Sequence, residues 1–112
     1  PQTREERIGW VIHSAAAGIT EELTWRGVQP ALIAQLTGHL WPAIVICAAT
    51  FGLGHIRFGK AFVPIAAFFA LIFQALAWAT GGLYVPMLVH VAVNVIVGLR
   101  AGTWVKLGRP GL

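Results

Sequence analysis

The sequence predicts an all-α protein: a polytopic transmembrane helical bundle of about four membrane helices, with a short interfacial helix at the N-terminal end. Three observations carry that expectation. Hydrophobic residues make up 57% of the chain before its 13 glycines are counted, against about 45–50% with glycine included in soluble domains. Charged residues make up only 11%, less than half the usual ~25%. The charges are also segregated, since residues 27–56 and 61–99 contain no Asp, Glu, Lys or Arg.

Taken in order, Arg4, Glu5, Glu6 and Arg7 precede Ile8, Trp10 and Val11, a polar-to-apolar start suited to a membrane interface. One helix over residues 4–37 would measure about 50 Å, well beyond a ~30 Å hydrocarbon core. A break is therefore expected, with Gly18 as a stop and Thr20 as an N-cap ahead of Glu21 and Glu22. The second helix then covers about 21–37, kinked by Pro30, whose ring frees the carbonyl of Arg26. Pro42 suits the first turn of the next helix, which ends near His55 and Arg57. Another follows from about Ala61 to Thr80, long enough for a full span. Gly81 and Gly82 punctuate, and the last helix runs from about Pro86 to Arg100.

Charge and cysteine content narrow the function. Cys47 is the sole cysteine, so no intrachain disulfide and no CxxC redox or zinc motif exists. The eight Lys and Arg form no basic cluster, and no nucleic-acid partner is expected. Counted by loop, Arg4, Arg7, Arg57, Lys60, Arg100, Lys106 and Arg109 fall on one side of the bilayer, while loops 38–41 and 81–85 carry none. The basic side is expected to be cytoplasmic, with Trp41 and Tyr84 at the opposite interface. Starting at Pro1 without the order of a signal peptide, the chain reads as a core segment of a longer protein.

Arg26 is the one cation that this topology leaves over, and it sits beside Glu21 and Glu22. A bland reading exists for each polar group. Glu22 and Arg26 are i and i+4, a pair that supports a helix end; His55 suits a helix terminus at the interface. His90 and Asn94, also i and i+4, suit hydrogen-bonding glue between helices. Gln74, His13 and His39 receive no role. What lifts the set is depth: at 1.5 Å per residue from the basic side, His55 lies within a few Å of its end, Arg26 and Asn94 about 9 Å in, and His90 about 15 Å in. Ionisable groups inside a membrane are functional candidates because burying them is expensive.

Glu21, Glu22 and Arg26 stand in E-E-L-T-W-R, Phe51 and His55 in F-G-L-G-H, and His90 and Asn94 in H-V-A-V-N. Together these resemble the signature E-E-x-x-x-R, F-x-x-x-H, H-x-x-x-N of the CAAX protease and bacteriocin-processing (CPBP, or Abi) family of intramembrane glutamic endopeptidases, which includes the Ras-converting type 2 CAAX prenyl proteases. The motifs match in order over residues 21 to about 99. The resemblance implies a catalytic core over 20–104, preceded by an interfacial segment over 1–19, followed by a cytoplasmic tail over 105–112, with further helices N-terminal to the segment. It also implies an integral, multi-pass enzyme whose active-site cavity opens toward the cytoplasm. Its partners would be the lipid bilayer and a protein or peptide substrate cut near its C-terminus, prenylated or a peptide precursor.

The chemistry expected from that resemblance needs no cofactor. Glu21 serves as general base for a water molecule, with His55 helping to hold it. Arg26 pairs with Glu22 rather than Glu21, and His90 and Asn94 donate to the tetrahedral oxyanion, roughly 3 kcal/mol per donor. All these side chains are expected to line one water-accessible cavity. Four alternatives stay open: a zinc-dependent protease, although H-E-x-x-H spacing is absent; a bis-histidine haem on His55 and His90; a catalytically idle scaffold or bacteriocin-immunity protein; and a transporter segment.

Overall fold

The computed structural model describes residues 1–107, with side chains through residue 101. The side chains of Lys106 and Arg109, and the expected tail beyond 107, lie outside the described residues. Helix α1 spans Arg4–Glu22, α2 Gln29–Thr37, α3 Leu40–Gly54, α4 Phe62–Thr80 and α5 Tyr84–Leu107. A π-helical turn, Leu23–Val28, joins α1 to α2, and a single 3₁₀ turn, Ile56–Phe58, follows α3. Leu40–Phe58, Phe62–Thr80 and Tyr84–Ala101 are each long and apolar enough to cross a membrane.

The break expected at Gly18 and Thr20 is not there: the chain is helical from Arg4 through Thr37. Thr20 does not cap a helix start, because its hydroxyl donates back to the carbonyls of Ala16 (2.8 Å) and Ala17 (3.3 Å), as a mid-helix threonine does. Gly18 does not adopt the left-handed conformation of a helix stop; among the described residues only Gly38, Gly59 and Gly81 have positive φ. The irregularity falls further on, immediately before Pro30. Gln29 N–H bonds to Thr24 O, five residues back, so the chain has widened by one residue where the proline ring would collide with the Arg26 carbonyl. The kink expected from Pro30 takes the form of a π turn.

Glycine ends two of the helices, Gly81 as expected. Gly38 (φ 73°) closes α2 with its N–H on Ala34 O at 2.9 Å. Gly81 (φ 70°) closes α4, with Gly82 N–H on Ala77 O at 3.0 Å, a Schellman arrangement that satisfies otherwise orphaned carbonyls.

Two compact units form: residues 1–20 together with the chain from Met87 onward, and Glu21–Pro86. In the first, Trp10, Ser14 and Gly18 share one face of α1 by their i, i+4 spacing. Trp10 lies against Gly98, and Gly18 against Val91, where an added Cβ would sit 2.6 Å from Val91 Cγ2. Helices α1 and α5 therefore run antiparallel in close contact, and Gly18 is required for that approach. In the second unit α3 and α4 form an antiparallel hairpin. A Cβ on Gly52 would meet Val63 O at 2.6 Å, and Ala48, Phe51, Ala66 and Ala70 make the core, with Trp25 packed on it. Small residues face inward while Val45, Phe68, Leu71 and Trp78 stay exposed, the pattern of helices packed by close approach in lipid.

Candidate active site

The acidic motif sits where α1 passes into the π turn. Glu22 is fully buried and Arg26 nearly so, with Arg26 Nη1 3.2 Å from Glu22 Oε1. The pairing expected from the spacing is the one formed. Aromatic faces hold the guanidinium from outside: its Cζ lies 4.3 Å from the centroid of Phe51 on α3 and 5.2 Å from that of Phe73 on α4. Such cation–π contacts gain about 2 kcal/mol when desolvated. Trp25 meets Phe51 edge-on, centroids 5.8 Å apart. Glu21, one residue before the pair, is half-buried.

His55 caps the end of α3 and is half-buried. Its Nδ1 lies 2.8 Å from Phe51 O, one of the carbonyls that the end of a helix leaves without an intrahelical partner. A carbonyl only accepts, so Nδ1 carries the proton. In the neutral ring Nε2 then keeps its lone pair. The His55 ring also packs on Phe51 at 4.6 Å between centroids and on Phe58 at 5.9 Å. Phe51 thus touches two motifs at once: its ring carries Arg26 and its carbonyl sets the His55 tautomer. Phe51 stands in the F-x-x-x-H motif, and its i, i+4 distance from His55 is the local signal for the second of these contacts. Phe73 had no such signal, because its contact with Arg26 arises only when α4 folds back.

His90 and Asn94 belong to the other unit. His90 is buried and Asn94 half-buried one helical turn later, so the two side chains share a face of α5. Trp10 Nε1 donates to the Asn94 carbonyl at 2.9 Å, tying α1 to this turn of α5. That tie was missed from sequence, where Trp10 reads simply as an apolar interfacial residue. Within each unit, no three described His, Cys, Asp or Glu side chains gather as a metal-ligand set.

Three helices long and apolar enough to cross a membrane make this an integral membrane protein of the polytopic helical class. Residues 3–96 match the family model of the type II CAAX prenyl endopeptidase Rce1-like proteins. That match covers most of the chain and contains all seven motif residues, so the chain belongs to this family of membrane proteases. No curated protein and no solved structure matches it.

Proposed function

We propose that the protein is an intramembrane glutamic endopeptidase that hydrolyses a peptide bond near the C-terminus of a membrane-associated protein, a prenylated CAAX-type substrate or a peptide precursor. Glu21 takes the proton from the attacking water. His55 Nε2 accepts a hydrogen bond from the same water, a role that its Nδ1–H bond to Phe51 O equips it for. Arg26 is committed to Glu22, so the pair braces the helix turn on which the base sits. His90 and Asn94 donate to the oxyanion of the tetrahedral intermediate. The site faces the cytoplasmic side, as the placement of Arg4, Arg7, Arg57, Lys60 and Arg100 favours.

The observation that carries this reading is the linkage through Phe51 of the acidic motif to the histidine motif. A structural ion pair alone has no need of a neighbouring histidine held in its Nδ1–H form. The test is cleavage of a peptide library and of a prenylated CAAX peptide by the intact protein in detergent, followed by mass spectrometry. Discrete cleavage products are expected. Absence of cleavage, with solute flux in protein-loaded liposomes, would replace the protease by a transport function.

A further inference from the structure

Gln74 lies in the middle of α4, a helix without a single charge, and is itself buried at 7% exposure. A polar amide at such a place in an apolar helix is expensive unless it is hydrogen-bonded. Beside it is a cavity of about 10 Å³ whose lining includes Trp25, Arg26, Cys47 and Gln74; that is about the room one water molecule requires. Arg26 also lines this cavity, is 94% buried, and its Nη2 has no hydrogen-bond partner among the described residues. The guanidinium therefore turns one nitrogen toward Glu22 and retains a second donor among groups that include a buried amide.

We propose that Gln74 is a positioning residue for the Glu22–Arg26 pair, its amide oxygen linked to Arg26 Nη2 through a single water held in this cavity. The water accepts from Nη2 and donates to Gln74, which satisfies the Arg26 donor and engages the Gln74 amide. Cys47 adds a weak third partner from α3. The bridge joins the π turn to α4 and gives the guanidinium a second anchor besides Glu22. Rotation of the guanidinium would carry Glu22 with it, and Glu21 is the preceding residue on the same helix. Gln74 touches no reacting atom in this scheme and acts only through Arg26.

The proposal rests on the protease reading for its kinetic consequence but not for its structural one, and the test separates the two. Gln74→Met keeps the volume and removes the hydrogen bonding; Gln74→Asn keeps the amide and leaves space for a second water. In the intact protein, Gln74→Met should lower kcat about tenfold with KM within twofold of wild type, and Gln74→Asn should stay within about threefold. In an Arg26→Lys background the Gln74→Met change should cost less than twofold, since the group it acts through is gone. Independently of activity, ¹⁵N-arginine side-chain NMR should show the Arg26 Nη–H signals shifted in Gln74→Met, and moved to a smaller extent in Gln74→Asn. If Gln74→Met does not fold, the Gln74→Asn shift alone decides. Unmoved Arg26 signals, or a full Gln74→Met effect in the Arg26→Lys background, would overturn the proposal. An inactive wild type with shifted signals would defeat the protease reading and leave the bridge standing.

Discussion

Replacing Arg26 by methionine leaves a carboxylate at a position with no exposure to solvent. The side chains of the Glu22–Arg26 pair are 0% and 1% exposed, which places the interaction with buried ion pairs rather than with surface pairs of ~0–1 kcal/mol. Removing one partner of a buried pair costs about 3–5 kcal/mol, because the remaining charge is left uncompensated. Loss of the guanidinium from the Phe51 and Phe73 faces, at 4.3 and 5.2 Å, adds up to about 2 kcal/mol, offset in part by the methionine side chain packing on the same rings. The expected net loss is about 3–5 kcal/mol. The double variant Glu22→Gln/Arg26→Met removes both charges and should recover most of it. Reversible unfolding in mixed micelles with rising SDS, followed by tryptophan fluorescence, measures all three proteins. A single variant within about 1 kcal/mol of wild type, or a double variant no better than the single one, would refute the placement of this pair in the packed interior.

Other outcomes follow from the same residues. Asn94→Ala should lower kcat by about 10²–10³ with little change in KM, as expected for loss of an oxyanion donor; equal losses in binding and turnover would point to packing instead. Hydrolysis should survive exhaustive chelation by EDTA and phenanthroline, whereas loss restored by added zinc would establish the zinc-dependent version. The start of α1 should fray in acid. Glu6 accepts from the backbone N–H groups of Gln2 and Thr3, and Thr3 Oγ1 accepts from Glu6 N–H at 3.1 Å, a capping box. Those bonds hold the Glu6 carboxyl below the ordinary carboxylate range. Its contribution is therefore present above the unfolded-chain value and is lost as pH falls through the lowered folded one. Amide hydrogen exchange at residues 4–7 should accelerate over that interval, and a flat profile would contradict the cap.

The three later spans were legible because their signals are local: charge-free stretches of membrane length, with Gly38 ending the helix before them and Gly81 closing α4. Glu22–Arg26 was legible for the same reason, being a one-turn contact within a single helix. Gly18 and Thr20 misled because each type has two uses. The capping signature is local, but Gly18 is there for the approach of Val91, a contact made by a residue more than seventy positions away. Pro30 was read correctly as a disturbance, yet pattern alone does not distinguish a kink from a π turn. The supporting side chains Phe73 and Gln74 look like ordinary residues of apolar helices. Their roles exist only once α3 and α4 pack beside the π turn.

Glu21→Gln tests the central claim most directly, because it exchanges a base for an amide of the same shape and changes nothing else. The intact variant should unfold at the wild-type SDS concentration, retain its tryptophan emission, and give no cleavage product above background from a peptide that the wild type cuts. Wild-type turnover in Glu21→Gln would show that the proton of the attacking water goes elsewhere, and the glutamate mechanism would be wrong.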